Sequence, residues 1–204
     1  MDAFTQLSGR AAVLAAANID TDIIFPARFL LFTEKRGLGR YAFYEWRYDR
    51  EGRENPDFVL NQDAYRGAGI LICGDNFGCG SSREQAPWAL RDLGVRCLIS
   101  TRFGEIFAAN CFKNGMLPIV VSPDQLAALG RDAEAGTALE ISLQDQTIWG
   151  DEAGTIAFSI EAWRREALLE GWDEIALILR QDGDAITAFE TRQRSARPWL
   201  YERD

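Results

Sequence analysis

The sequence predicts an α/β fold with a parallel sheet, a smaller antiparallel sheet and flanking helices. Through the middle of the chain, short apolar runs alternate with helix-like segments at the spacing of βαβ units, which indicates parallel strands. After about Gly136 the pattern changes to short strands with alternating apolar residues, which suit an antiparallel meander. Helix-like segments close the chain, so a C-terminal helical extension is also predicted.

The predicted elements follow in chain order. The strands are 10–17, 69–73, 95–100 and 116–121 in the parallel part, then 139–143, 146–149 and 155–158 in the antiparallel part. The helices are 41–46, 84–93, 105–113, 123–135, 160–170 and 172–179. Gly94, Gly115 and Gly171 end helices here, because glycine readily takes the left-handed conformation found after a helix C-terminus.

Length and composition predict one domain over residues 1–204, with the helical extension from about residue 160. The net charge of −9 disfavours nucleic acid and an anionic membrane as partners. No apolar run approaches the ~20 residues that span a bilayer. The N-terminal residues 1–5 lack the basic and then apolar segments of a signal peptide, so a cytoplasmic location is predicted.

The chain contains no histidine. A Ser-His-Asp or Cys-His nucleophile therefore cannot be built within it, and no imidazole is available to bind a metal. The cysteines Cys73, Cys79, Cys97 and Cys111 include no C-x-x-C pair, and no metal site is predicted on this chain. Cys73 and Cys97 lie in apolar strands, where buried thiols are expected, whereas Cys79 lies in a glycine-rich turn.

The residues whose side chains and backbone could bind a ligand or react are concentrated in the turn between the predicted strand 69–73 and the predicted helix 84–93. A helix start offers free backbone N–H groups and the positive end of the helix dipole, which together favour an anion. The turn contributes two glycines that allow close approach, two hydroxyls and a planar cation suited to a carboxylate: Gly78, Gly80, Ser81, Ser82 and Arg83. The spacing matches neither a dinucleotide fingerprint nor a P-loop. An ordinary capped helix start is the alternative interpretation.

Two segments before this turn are also polar. Asp20 and Asp22 lie two residues apart, which is typical of a turn with side-chain-to-backbone hydrogen bonds, and two carboxylates alone make a poor metal site. The segment 27–40 is the most basic of the chain and includes Arg28 and Arg36 among apolar residues. It is interpreted either as a loop that closes over an anionic ligand or as an ordinary surface turn with an apolar anchor.

Taken together, these stretches resemble the small subunits of bacterial 3-isopropylmalate dehydratase, the stand-alone swivelling domain of the aconitase superfamily. The resemblance runs through nearly the whole chain and is carried by residues 18–24, 55–61, 76–84, 86–90 and 117–118. It implies a swivelling β/β/α domain, and dehydration of 2-isopropylmalate followed by rehydration to 3-isopropylmalate in leucine biosynthesis. It also implies that this chain binds no cofactor and works with a separate large subunit that carries a [4Fe–4S] cluster.

The resemblance also implies roles for single residues. Ser81 matches the serine that, as an alkoxide, removes the carbon-bound proton of the substrate. The residues that match contacts to the small dicarboxylate substrate are Ser82, Arg83, Leu31 and, as alternatives for one further arginine, Arg36 and Arg28. Leu31 is apolar, which suits an isopropyl group. Gln85 stands where the family usually has histidine.

Two other functions stay open at the level of sequence. One is the small subunit of a related hydro-lyase of the homoaconitase or methylmaleate hydratase type, against which the apolar Leu31 argues. The other is a regulatory module that binds an anion without catalysis, which loss of activity on removing the Ser81 hydroxyl would exclude.

Overall fold

A computed structural model describes residues 1–32 and 34–201. The strands are β1 (Gln6–Leu14), β2 (Ile70–Cys73), β3 (Cys97–Ser100), β4 (Leu117–Val120), β5 (Ala138–Ser142), β6 (Thr147–Gly150) and β7 (Gly154–Ala157). The α-helices are α1 (Thr21–Ile24), α2 (Tyr44–Arg47), α3 (Gln85–Asp92), α4 (Glu105–Lys113), α5 (Pro123–Glu134), α6 (Ala162–Glu170) and α7 (Glu174–Ala196). Short 3₁₀ segments lie at Ala27–Phe29, Gly39–Tyr41, Val59–Asn61 and Pro198–Leu200.

The strands form one sheet with the order β4-β3-β2-β1-β5-β6-β7. Strands β1 to β4 pair in parallel, and β1, β5, β6 and β7 pair antiparallel. The long strand β1 belongs to both parts, since residues 11–14 pair with β2 and residues 6–10 pair with β5. The predicted fold class, with its parallel and antiparallel parts, is confirmed.

Both faces of the parallel part are covered, which explains why its strands are continuously apolar. Leu71 and Cys73 of β2 belong to a core that also contains residues of α3 and α4. Ile70 and Ile72 point to the opposite face, where a second core includes Leu129 of α5 and the inward residues of the antiparallel strands. Because successive side chains of a strand alternate between faces, one four-residue strand contributes to both cores.

The start of α5 shows how local sequence sets an element boundary. The Ser122 hydroxyl accepts a hydrogen bond from Gln125 N at 3.2 Å, and Gln125 Oε1 accepts one from Ser122 N at 2.9 Å. This reciprocal capping box, followed by Pro123 at the first helical position, begins the helix where the sequence predicted it.

The last helix is longer than predicted. The sequence places its end at Leu179, but α7 continues to Ala196. The stretch after Leu179 is charged, yet it is rich in Arg, Gln and Ala, which are good helix formers, and it contains no proline before Pro198. Gly183 alone does not stop the helix, since an isolated glycine costs only about 1 kcal/mol.

Residues 1–171 form one compact unit, and a second unit begins at Trp172. None of the residues of α7 is buried. The single domain over residues 1–204 with an extension from about residue 160 therefore stays a prediction. Within the part of the chain that the structure describes, no helix has the length and apolar character needed to cross a membrane.

Candidate functional site

The turn between β2 and α3 lies at the carboxyl ends of the parallel strands, where ligands of α/β sheets bind. Gly78 N donates a hydrogen bond to Ile19 O at 2.7 Å, in the loop after β1. Phe77 N donates to Arg102 O at 3.1 Å, in the loop after β3. The turn is therefore held between the two loops that follow the neighbouring strands.

Glycine lets this turn pack directly against the start of α4. A Cβ on Gly78 would lie 2.2 Å from Phe107 Cγ, and a Cβ on Gly104 would lie 2.3 Å from Gly78 O. Gly78 and Gly80 have φ angles of 72° and 92°, in the left-handed region that favours glycine. Gly78 is thus required by both close packing and backbone conformation, and Gly80 by its backbone conformation. Gly104 is a third glycine required by close packing, which no sequence pattern singles out.

The two serines of the turn are exposed. Thr21 Oγ1 donates a hydrogen bond to the Ser81 carbonyl oxygen at 2.8 Å, which fixes the backbone of this residue. Among the described residues, no group forms a hydrogen bond with either hydroxyl, and the backbone N–H groups of residues 81–85 donate to no acceptor. A hydroxyl beside unpaired amide donors is an arrangement that can bind and stabilise an oxyanion.

Arg83 lies beside the serines and is mostly buried, with 13% of its side chain exposed. Its Nη1 forms an ion pair with Asp22 and also donates to Phe25 O at 3.3 Å. No described group accepts a hydrogen bond from Nε or Nη2. The guanidinium is thus held on one side and free on the other.

The segment 19–25 acts as the support of this turn. Asp20 caps α1 by accepting a hydrogen bond from Ile23 N at 2.8 Å, which confirms the predicted side-chain-to-backbone bond. Thr21 N donates to Cys79 O at 2.9 Å, so the segment runs alongside the turn. The contact between Asp22 and Arg83 was missed in the sequence analysis, because nothing in local spacing links residues 61 positions apart.

The segment 27–40 holds the other predicted substrate contacts. Leu31 is 90% exposed, and Arg36 is exposed and forms no hydrogen bond or ion pair with any described residue. Arg28 instead pairs with Glu45 and lies over the ring of Tyr44, 5.0 Å from its centroid. No described hydrogen bond, ion pair or ring contact joins Arg28, Leu31 or Arg36 to the turn 78–83. Thr33 lies outside the described residues.

Aromatic and polar contacts anchor this segment. The ring of Phe29 stacks on Tyr41 with centroids 4.3 Å apart. Lys35 Nζ donates to Asn114 Oδ1 at 3.0 Å and lies 4.9 Å from the ring centroid of Trp88, in the first turns of α3. Gly39 N donates to Asp92 Oδ2 at 2.7 Å, at the end of the same helix. The segment therefore passes along α3, and Arg36 follows directly after a residue that contacts it.

A further polar cluster ties the loops after β2 and β3 together. Asp75 Oδ1 accepts a hydrogen bond from Thr101 Oγ1 at 2.8 Å, and Asp75 Oδ2 accepts one from Arg102 Nη2 at 2.8 Å. The Thr101 hydroxyl and the Arg102 guanidinium hold the pKa of Asp75 below its ordinary value. No function is predicted for these three residues from the sequence alone.

The cysteines do not form a cluster site. Cys73, Cys97 and Cys111 are buried, and burial raises the pKa of each thiol, so these residues stay protonated at neutral pH. Cys79 is half-buried. The buried thiols predicted at Cys73 and Cys97 are confirmed. Over residues 1–32 and 34–201, no three His, Cys, Asp or Glu side chains are grouped so that they could hold a metal ion.

Two family models match the chain. Residues 1–124 match the aconitase C-terminal domain, and residues 174–203 match the C-terminal domain of the 3-isopropylmalate dehydratase small subunit. The first match covers the parallel strands, the turn 74–84 and its supporting loops.

Full-length relatives and a solved structure carry the same description. The chain is 52% identical over 202 residues to the 3-isopropylmalate dehydratase small subunit of Jannaschia sp. (strain CCS1), covering 98% of this chain and 100% of the relative. It is 52% identical over 201 residues to that of Agrobacterium fabrum, with the same coverage. The crystal structure of 3-isopropylmalate dehydratase from Methanocaldococcus jannaschii is similar with a TM-score of 0.66 and 27% identity, over 89% of this chain and 99% of that one. The chain therefore belongs to the family of 3-isopropylmalate dehydratase small subunits, in the aconitase superfamily of hydro-lyases.

Proposed function

We propose that Ser81 is the base of the dehydratase reaction and that Arg83 binds a carboxylate of the substrate. The chain is a subunit of a hydro-lyase that interconverts 2-isopropylmalate and 3-isopropylmalate in leucine biosynthesis. The observation that carries the assignment is the exposed Ser81 hydroxyl, which has no described hydrogen-bond partner and belongs to the same turn as Arg83 and the unpaired backbone amides of residues 81–85.

Dehydration removes a proton from carbon and a hydroxyl from the neighbouring carbon. Ser81 Oγ, as an alkoxide, takes the carbon-bound proton, and the resulting hydroxyl returns a proton to carbon during rehydration. A serine hydroxyl is a weak acid, so its anion needs stabilisation. The free N–H groups of residues 81–85 and the Arg83 guanidinium are the groups beside it that can supply that stabilisation.

The remaining contacts bind the substrate and select it by its shape and charge. The Ser82 hydroxyl donates a hydrogen bond to the carboxylate held by Arg83. Arg36 is the better supported of the two alternatives for a second substrate arginine, because its guanidinium has no described partner while that of Arg28 is paired with Glu45. Leu31 offers apolar surface to the isopropyl group.

The residues of this chain do not fit an iron–sulfur cluster. A cluster is held by thiolates, whereas three of the four thiols here are buried and protonated. We therefore assign the [4Fe–4S] cluster, and the acid that releases the substrate hydroxyl, to the large subunit. This chain then contributes the base and the carboxylate contacts. We also propose that the enzyme acts in the cytoplasm.

The test is reconstitution of the chain with its large subunit under anaerobic conditions, followed by formation of the unsaturated intermediate from 2-isopropylmalate. Ser81→Ala should lower kcat by about 10²- to 10⁴-fold, the usual contribution of a positioned base. Because the hydroxyl is exposed and makes no described contact, Ser81→Ala should leave the thermal unfolding midpoint and co-purification with the large subunit unchanged.

Ser8→Ala is the matched control, since Ser8 is an exposed serine on β1, far along the strand from its carboxyl end. It should retain full activity. Near-normal kcat in Ser81→Ala would show that another group removes the proton.

A further inference from the structure

The ion pair between Asp22 and Arg83 occupies one nitrogen of the guanidinium. Arg83 Nη1 carries two hydrogens, and two acceptors face it: the Asp22 carboxylate and the Phe25 carbonyl oxygen, 3.3 Å away. Both acceptors lie in the segment after β1, while Arg83 lies in the turn after β2. With both hydrogens of Nη1 engaged, the plane of the guanidinium is fixed by this segment.

A guanidinium fixed in this way presents a defined edge. Nε and Nη2 form no hydrogen bond with any described residue. Together they form the edge that grips a carboxylate with two parallel hydrogen bonds. If the guanidinium rotated about its last side-chain bonds, this edge would no longer face a bound ligand, so its direction depends on what holds Nη1.

The two partners differ in exposure. Arg83 has 13% of its side chain exposed, whereas Asp22 has 51% exposed. Solvent therefore screens the negative charge of Asp22 more than the positive charge of Arg83, and the pair leaves a net attraction for an anion. Asp22 can thus hold the arginine without cancelling its attraction for an anionic substrate.

The segment that carries Asp22 is itself held against the turn. Thr21 N donates to Cys79 O at 2.9 Å, and Thr21 Oγ1 donates to Ser81 O at 2.8 Å. Asp20 caps the same short helix. One rigid segment therefore fixes the backbone at Ser81 through Thr21 and the side chain of Arg83 through Asp22.

We propose that Asp22 is a positioning residue. It holds the Nε–Nη2 edge of Arg83 toward the substrate carboxylate and keeps the guanidinium at a fixed position relative to Ser81. This inference rests on the proposed function of Arg83 and goes beyond it, because Asp22 acts only through the arginine and does not touch the substrate.

The experiment measures steady-state kinetics with 2-isopropylmalate on the reconstituted holoenzyme for Asp22→Ala, Asp22→Asn, Arg83→Ala and the double variant Asp22→Ala with Arg83→Ala. Asp22→Ala should raise KM about 10- to 100-fold with a smaller change in kcat, as expected for a misdirected binding group. Asp22→Asn should recover most of this loss, since its amide oxygen can still accept a hydrogen bond from Nη1. In the Arg83→Ala background, Asp22→Ala should change KM by less than about 2-fold, because coupled residues are not additive.

Glu152→Ala is the matched control. It removes the acidic partner of Arg131, an exposed ion pair outside the turn and its supporting loops, and should leave KM unchanged. The thermal unfolding midpoint of each isolated variant checks that the chain folds, and the conservative Asp22→Asn keeps the test valid if Asp22→Ala is unstable.

The outcomes separate the two assignments. An unchanged or lowered KM in Asp22→Ala, together with a raised KM in Arg83→Ala, would overturn the role of Asp22 alone and leave the proposed function standing. Fully additive effects in the double variant would also overturn it, since Asp22 would then act independently of Arg83. An unchanged KM in Arg83→Ala would overturn the role of Arg83 itself, and the role of Asp22 with it.

Discussion

At the scale of single residues, the site depends on which polar groups are already paired. Arg28 and Arg36 are equivalent in the sequence analysis, yet Arg28 is paired with Glu45 and Arg36 has no described partner. Likewise, Arg83 keeps one free edge because Asp22 engages only Nη1. A guanidinium that is already paired has fewer hydrogen-bond donors available for a ligand. The pairings therefore distinguish candidate ligand-binding arginines that sequence spacing alone cannot distinguish.

The exposed Leu31 gives a test of substrate selection. Leu31→Arg should lower kcat/KM for 2-isopropylmalate by about 10- to 100-fold, because an apolar contact with the isopropyl group is replaced by a charge. The side chain is 90% exposed, so the thermal unfolding midpoint should stay the same. The measurements are kinetics of the reconstituted enzyme and a thermal melt of the isolated chain.

Leu200→Arg introduces the same charge at another exposed leucine, outside the segment 27–40, and serves as the control. If Leu31→Arg keeps full kcat/KM, Leu31 does not contact the isopropyl group.

At the scale of elements, the carboxyl edge of the parallel strands is built from three loops that lock together. The turn 74–84 is bonded to the loop after β1 through Gly78 and to the loop after β3 through Phe77. Its backbone also rests on the start of α4 at Gly104. The position of Ser81 is therefore a property of the set of loops, and a change outside the turn can move it.

Gly104→Ala tests this docking. The φ angle of Gly104 is −59°, which alanine adopts without strain. The obstacle is the approach of the new Cβ to the neighbouring backbone, at 2.3 Å from Gly78 O and 3.0 Å from Cys79 Cα. We expect the free energy of unfolding to fall by about 1–3 kcal/mol, as for overpacked sites, and kcat/KM to fall as the turn shifts. Urea unfolding and holoenzyme kinetics measure the two effects.

Gly130→Ala is the matched control, since Gly130 lies within α5 and a Cβ there would meet nothing within 4 Å. It should stabilise the chain by about 0.5–1 kcal/mol, the helix preference of alanine over glycine. If Gly104→Ala and Gly130→Ala change the free energy of unfolding and kcat/KM in the same way, packing against α4 does not constrain the turn 74–84.

At the scale of the whole molecule, the two cores on either face of the sheet contain three of the four thiols. Cys73 and Cys111 lie in one core and Cys97 in the other. Burial raises the pKa of each thiol above the value of about 8.5 that it has in the unfolded chain. A group with a raised folded pKa stabilises the fold fully below its unfolded pKa, and this stabilisation is lost as the pH rises.

The chain should therefore lose stability at alkaline pH. Three thiols that ionise only on unfolding should lower the free energy of unfolding by about 3 kcal/mol in total between pH 8.5 and pH 9.5. Urea unfolding of the reduced protein at the two pH values measures this change. Cys97→Ala, which removes one of the three buried thiols, should show a smaller dependence. A free energy that does not change over this range would contradict the burial of the thiols.

Much of the fold follows from the sequence because its signals are local. Apolar runs, capping residues and glycines gave the types and order of the strands and most helices, and α4 has the predicted bounds. The charged residues after Leu179 predict an exposed tail, yet their helix propensity extends α7 to Ala196. The turn 74–84 was also found from local features, namely glycines, hydroxyls and an arginine between a strand and a helix.

The order of the elements and the place of the reactive turn follow from the amino-acid sequence, since periodicity and turn chemistry act over a few residues. The tertiary structure alone decided that β1 joins the parallel and antiparallel parts and that Gly104 lies against Gly78. It also decided that Asp22 holds Arg83 from 61 residues away. Such contacts depend on how the folded sheet brings distant loops to one edge, and no local pattern encodes that proximity.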